Sequence, residues 1–319
     1  MAAAPQWVVL RRFPRTDDIG LPEDAGISLA LDVPPRITQL VGSPSLLPRG
    51  SCVLVADPSG ILLLSDSFVC AADPLAADKP ASTPYLLWDA VFKASRRIHA
   101  PDTQTGTAGL IAVPRDYGDW DIMVAELVLP SVDSDYALRC FSMPTETGEW
   151  ITKSLRLPEF PHMKFPWCSA NVLSYKGKLF WVDLLQGLLA CDPFADKPEL
   201  HFVPLPSVFM LAKGNEQRRR EGLTRDRCIN LSCGKLRLVV ITRRTSRPVI
   251  KLWTLHDLHA GRWTMDNEVP FFHIWNDQSY TATELPMVRP VLVLVHPSNP
   301  HVVYFFLKQH LFAVDLKRV

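Results

Sequence analysis

Tyr175-Lys176-Gly177-Lys178-Leu179-Phe180-Trp181-Val182-Asp183-Leu184-Leu185-Gln186-Gly187-Leu188-Leu189-Ala190-Cys191-Asp192-Pro193 is two apolar runs and a preceding aromatic, separated by turns. Lys176-Gly177 reads as a hairpin turn, because glycine reaches positive φ without a Cβ penalty. Asp183 to Gly187 reads as a second turn, with the aspartate capping backbone amides and Gly187 in the left-handed position. Asp192-Pro193 closes the third strand. Three strands thus occupy about 20 residues, within the ordinary range of strand and turn lengths. Leu179 to Val182 is apolar on successive residues, so this strand is buried on both faces. In an antiparallel protein, stacked sheets meet that condition, and so does a propeller blade with a blade on each side.

The same pattern extends outward. Strands are expected at Trp7–Arg12, Cys52–Ala56, Ile61–Leu64, Ile122–Leu129, Tyr136–Ser142, Val172–Tyr175, Leu236–Thr242, Val249–Leu255, Val291–Val295, Val302–Leu307 and Leu311–Val314. They are short, rich in Val, Leu, Ile and aromatics, and bounded by Pro, Gly, Asp or Asn, as in an all-β protein. Twenty-eight prolines punctuate the chain and break helical periodicity. A repeat favours a propeller over a sandwich: Cys70 to Pro80 echoes Ala190 to Pro198, and equivalent positions fall at 73, 143, 192, 257 and 315. Two units continue into Gly148-Glu149-Trp150 and Gly261-Arg262-Trp263, as kelch-like blades do. The units span roughly 51–90, 109–157, 169–206, 227–268 and 289–319. The reading is a single β-propeller domain over 1–319, with five or six irregular four-stranded blades. Residues 27–41 form a partial sixth blade or a covering hairpin, and Trp7–Arg12 supplies the missing outer strand of the last blade and closes the ring.

Composition narrows the function. The chain has 319 residues, 47% hydrophobic and 21% charged, which excludes a disordered chain. Lys+Arg is 34 and Asp+Glu 33, far from the basic excess of a general polyanion binder. The seven cysteines are odd in number and lack a CxxC pair, so free thiols in a reducing compartment are expected. The first residues, Met1-Ala2-Ala3-Ala4-Pro5, carry no signal-peptide pattern, and the longest apolar runs fall well short of the about 20 residues of a membrane helix. The expected location is cytoplasmic or nuclear.

Trp7-Val8-Val9-Leu10, Phe141-Ser142, Leu155-Arg156-Leu157-Pro158, Trp181-Val182-Asp183-Leu184, Gly187-Leu188-Leu189-Ala190-Cys191-Asp192, Val203-Pro204-Leu205-Pro206 and Arg227-Cys228-Ile229 give the chain a familiar cast. It resembles the plant domain-of-unknown-function 1618 family, expanded in grasses. The resemblance implies a plant intracellular propeller, similar to the domains that follow an F-box, and carries no assigned activity or catalytic residue. Leu21-Pro22-Glu23-Asp24 looks like the opening of an F-box, but Pro34-Pro35 interrupts the helix it would need.

Lys213 to Arg227 is the sharpest surface feature. Arg218, Arg219, Arg220, Arg225 and Arg227 are the candidate binding residues, for a protein partner that is acidic or phosphorylated, or for an RNA backbone. No aromatic residue interrupts this segment, which disfavours stacking on single strands. His256-x-x-His259 lies at a strand end, where residues three apart face opposite sides, so no metal site is read there. Asp116, Asp119 and Asp121 lack a calcium-loop frame. Gly-x-Ser-x-Gly, P-loop, Gly-x-Gly-x-x-Gly and His-Glu-x-x-His patterns are absent, so neither catalytic residues nor a cofactor are assigned. The leading expectation is a non-catalytic protein-interaction platform. The alternatives are a propeller-based hydrolase or sugar-processing enzyme, and an RNA or phospho-ligand binder acting through 213–227.

Overall fold

The computed structural model describes residues 6–16, 26–66, 84–99, 101, 108–115, 120–130, 135–143, 148–157, 165–209, 222–242 and 247–319. It is all-β, with five antiparallel sheets in the blade arrangement of a β-propeller. Blade 1 is β5 (Cys52–Ala56), β6 (Ile61–Ser65), β7 (Tyr85–Asp89) and β8 (Ala94–Ile98). Blade 2 is β9 (Ala108–Pro114), β10 (Trp120–Val128), β11 (Ala137–Met143) and β12 (Ile151–Ser154). Blade 3 is β13 (Asn171–Tyr175), β14 (Lys178–Asp183), β15 (Gly187–Cys191) and β16 (His201–Pro204). Blade 4 is β17 (Arg227–Ser232), β18 (Lys235–Ile241), β19 (Val249–Asp257) and β20 (Arg262–Pro270). Blade 5 has three described strands, β21 (Val291–Val295), β22 (Val302–Leu307) and β23 (His310–Asp315). Each blade joins its strands in chain order, with two-residue hairpins at β13–β14, β17–β18 and β22–β23.

Residues 27–41 are not a sixth blade. β3 (Ser28–Ala30) pairs antiparallel with β4 (Ile37–Gly42), while the two-residue strands β1 (Val9–Leu10) and β2 (Arg15–Thr16) lie parallel to β4. This corrects the expected ring closure: the N-terminal strand pairs with β4, with Arg11 N donating to Thr38 O at 2.9 Å, and among the described residues it makes no pairing with the last blade. β4 alternates half-buried and buried residues and sits about 30 residues away, so pairing there closes a far shorter loop than pairing near residue 310.

Two compact units are resolved, and their boundary runs through blade 3: Met1–His162, Trp167–Trp181 and Leu189–His201 form one, and Met163–Pro166, Val182–Leu188 and Phe202–Val319 the other. In the first, Leu40 and Leu47 pack with Leu62, Leu64, Leu86 and Trp88, covering the N-terminal sheet and blade 1. In the second, Val239, Ile241, Leu252 and Phe271 pack with Leu292 and Phe305, joining blades 4 and 5 through the insertion that holds α2 (Phe271–Asn276) and α3 (Gln278–Thr281). The short helix α1 (Leu223–Asp226) precedes blade 4.

Turn chemistry explains the hairpins. Lys176 and Gly177 both take positive φ, 49° and 72°, and so do Cys233 and Gly234, at 48° and 67°. Both pairs are two-residue turns with the twist that antiparallel strands prefer. Gly187 corrects the sequence reading. It is not left-handed; a Cβ there would lie 2.4 Å from Val203 O, so close strand packing excludes a side chain.

The repeat is real but is anchored differently in blade 1. The third strands end at positions 89, 143, 191, 257 and 315, with Asp192 directly after the blade 3 strand, so the blade 1 counterpart is Asp89. Asp73 lies outside the described residues, between β6 and β7. In four blades an aspartate at this position accepts backbone amides two or three residues on: Asp89 from Val91, Asp192 from Phe194, Asp257 from His259 and Asp315 from Lys317. The Gly-x-Trp pair is equally regular. Trp150 Nε1 donates to His99 O at 2.7 Å, and Trp263 Nε1 to Pro204 O at 2.8 Å, in each case at the end of the preceding blade's outer strand.

Candidate interaction surfaces

The β7–β8 turn is Asp89-Ala90-Val91-Phe92-Lys93-Ala94. Asp89 Oδ1 accepts from Val91 N at 2.8 Å and Phe92 N at 3.0 Å. Lys93 takes φ 54°, and Asp89 pairs with Ala94. Ala90 N donates to Gly60 O at 3.1 Å, tying the turn to its own blade. A capped turn of this kind is preorganised and projects its third and fourth residues. These are Val91 and Phe92, 68% and 76% exposed. Exposed apolar residues scattered singly need no explanation, whereas Val91 and Phe92 lie side by side on one capped turn. Lys93 and Arg96 are exposed beside it. Arg97 is committed elsewhere, donating to Asp66 Oδ2 at 3.0 Å and Ser45 O at 2.7 Å.

The β19–β20 turn, Asp257-Leu258-His259-Ala260-Gly261-Arg262, has the same construction. Asp257 Oδ1 accepts from His259 N and Ala260 N, both at 3.0 Å, Gly261 takes φ 57°, and Asp257 pairs with Arg262. Hydrogen bonds from the Ala260 and His259 amides, with Arg262 and His259 nearby, hold the Asp257 carboxyl below its ordinary range. His259 is thus displayed by a turn, as its place beyond a strand end implies.

Of the arginines singled out in the basic segment, Arg218, Arg219 and Arg220 lie outside the described residues. Arg225 is exposed on α1. Arg227, two residues on, is buried: its Nη1 donates to Leu184 O at 2.7 Å and its guanidinium lies 5.3 Å from the centre of the Phe209 ring. Phe209 in turn meets Trp253 edge-on at 5.6 Å. Asp226 is buried and pairs with Arg289 at 3.6 Å. Arg225 and Arg227 are therefore not brought together. Arg227 and Asp226 pin α1 to the blade, and Arg225 is the cation left facing solvent on it.

A polar cluster that the sequence did not suggest spans blades 4 and 5. The β19–β20 register shifts between Leu252, which pairs with Asn267, and Trp253, which pairs with Met265, so Asp266 is the extra residue of a bulge. Bulges re-aim side chains. Asp266 Oδ2 accepts from Arg237 Nη1 at 2.8 Å, and both contact the Thr254 hydroxyl. His301 Nδ1 lies 2.9 Å from Asn267 Oδ1. Arg237, Thr254 and Asp266 bridge β18, β19 and β20, and the His301–Asn267 contact ties β20 to blade 5. No local sequence signal marks a bulge residue, so only the fold brings this set together.

Cys52, Cys140 and Cys191 are buried thiols with no disulfide. Burial pushes Cys140 up to about 11 and Cys191 to about 12, which suppresses the nucleophilic thiolate near neutral pH. Among the described residues, no group of three His, Cys, Asp or Glu side chains is placed to hold a metal ion, and no helix is long and apolar enough to cross a membrane.

Blades, capped hairpins and tryptophan ties define a protein of the β-propeller class. Residues 181–304 match the family model described as a protein of unknown function, DUF1618. The stretch Trp181-Val182-Asp183-Leu184 opens that match. No curated protein matches the chain.

Proposed function

We propose that the chain is a non-catalytic protein-interaction platform of the plant cytosol or nucleus. The observation that carries this reading is the β7–β8 turn, which presents Val91 and Phe92 on a backbone already fixed by Asp89. A preorganised aromatic anchor loses little conformational freedom on docking, and such anchors supply most of the energy at protein interfaces. Exposed Lys93 and Arg96 beside it, and Arg225 on the basic segment, favour partners that are acidic or phosphorylated.

The test is affinity purification of the tagged full chain from plant tissue, followed by mass spectrometry. A Val91→Ser/Phe92→Ser variant and a charge reversal of Arg218, Arg219 and Arg220 run alongside the wild type. Partners that persist in a control propeller are discarded. Loss of the remaining set from the Val91/Phe92 variant, with its melting temperature held, supports the reading. An unchanged partner set in both variants overturns these surfaces as the docking sites.

A further inference from the structure

The turn between β21 and β22, His296-Pro297-Ser298-Asn299-Pro300-His301, is capped by an imidazole. Ser298 N and Asn299 N each lie 3.1 Å from His296 Nδ1, and the Ser298 hydroxyl lies at 3.4 Å. Backbone amides only donate, so Nδ1 must present its lone pair, and the ring proton sits on Nε2. The turn so capped is what blade 5 offers to the inner hairpin of blade 4. Ser232 Oγ donates to His296 O at 2.6 Å, and Cys233 N donates to Pro297 O at 2.7 Å.

We propose that His296 is an acid-sensitive latch: the neutral ring holds the β21–β22 turn against the β17–β18 turn, and protonation at Nδ1 releases it. A proton on Nδ1 faces two N–H donors, so the cap becomes a repulsion. The ring must then swing out or the turn must open, and either movement loosens the carbonyls that receive Ser232 and Cys233.

The surroundings agree with this direction. Half-burial holds the His296 pKa below the ordinary 6.5, so the neutral cap is the resting form near neutral pH. Tyr304 on β22 faces the ring, its centre 6.2 Å away, and the opposing β17–β18 turn carries Cys233 and Lys235. At the far end of the turn, burial, Lys317 and Arg237 lower His301, opposed by Asp266 and Asp315. His301 can keep its contact to Asn267 when protonated, because Nδ1 then still donates. The switch is therefore His296.

The chain contains its own control. Blade 1 turns on Asp57-Pro58-Ser59-Gly60, where Asp57 Oδ1 accepts from Ser59 N at 2.9 Å in the same place. A carboxylate ordinarily stays charged until about pH 4, so a carboxylate cap survives mild acid.

The experiment is amide hydrogen exchange on the full chain at about pH 7.5 and about pH 5, corrected for intrinsic rates, in wild type and His296→Asp. In the wild type, protection of the Cys233, Ser298 and Asn299 amides is expected to fall about tenfold at the lower pH while Ser59 holds. His296→Asp should keep all of them protected. Unchanged protection in the acidified wild type overturns the proposal, as does an equal loss in His296→Asp, which would move the acid effect to another group. Nitrogen chemical shifts of the wild-type imidazole give a reading that needs no variant. A proton on Nε2 at neutral pH supports the cap, and a proton on Nδ1 overturns it.

Discussion

Asp57-Pro58-Ser59 and His296-Pro297-Ser298 occupy the same place in blades 1 and 5, the turn between the first and second strands. In both, the first residue caps the amide two positions on. In both, the turn also reaches another blade: Ser174 Oγ of β13 donates to Asp57 Oδ2 at 2.8 Å, and the β17–β18 turn donates to the His296 and Pro297 carbonyls. The difference is the charge of the capping group. A carboxylate is a fixed acceptor over the physiological range, whereas an imidazole accepts only while it is neutral. One architectural role thus appears in a permanent and a conditional form within one chain.

The largest expected effect breaks the permanent form. Asp57 is 8% exposed and accepts both Ser59 N and the Ser174 hydroxyl. Asp57→Ala removes a cap and leaves a partly buried hydroxyl without its acceptor, so a loss of about 2–3 kcal/mol is expected. Denaturant unfolding at neutral pH measures it. A loss below about 0.5 kcal/mol would mean that the turn does not depend on its cap.

His296→Ala should cost about 1 kcal/mol at about pH 7.5, because its two amides are exposed and water replaces the lost acceptor in part. The comparison sharpens with acid. A histidine whose folded pKa lies below its unfolded value contributes stability that is present above about 6.5 and is lost as pH falls through the folded value. The wild type should therefore lose its advantage over His296→Ala as the pH drops from 6.5, and the two stability curves should converge. Curves that stay parallel down to about pH 5 would contradict the imidazole cap.

These two turns also mark how far the sequence could be read. Apolar runs on successive residues mark β13 to β15, β18, β19 and β21 to β23, because burial on both faces leaves a composition signal, whereas β16, β17 and β20 carry no such run. Outer strands left none: β8 is Ala94-Ser95-Arg96-Arg97-Ile98 and is exposed at its first four residues, so its hairpin and the Val91–Phe92 tip went unseen. In blade 1 the repeat aspartate is Asp89 at the end of β7, while Asp73-Pro74, which echoes Asp192-Pro193 in sequence, lies between β6 and β7, outside the described residues. The basic segment was legible as charge. That Arg227 points inward to Leu184 O and Phe209 depends on packing between distant residues, and no local pattern encodes it. The His296 cap was invisible for a related reason: a histidine before Pro-Ser reads as a turn residue, and only geometry gives the direction of its hydrogen bonds.

The smallest effect concerns the two outer turns capped by Asp89 and Asp257. They share their capping bonds and their strand pairing, and both need a left-handed residue at the fifth position. Gly261 meets that need without strain, while Lys93 meets it at φ 54° with a Cβ. The left-handed region costs an L-residue about 1–2 kcal/mol, and glycine returns part of that gain as extra freedom in the unfolded chain. Lys93→Gly should therefore stabilise the chain by about 0.5 kcal/mol, read as a higher denaturant midpoint with an unchanged slope. Gly261→Lys should go the other way and further. A Cβ at 261 meets Pro204 Cδ at 2.8 Å, next to the carbonyl that Trp263 uses, so this substitution adds a steric clash to the backbone strain. If Lys93→Gly destabilised the chain instead, the Lys93 side chain would have to contribute to holding the tip, and the two turns would differ in more than the residues they display.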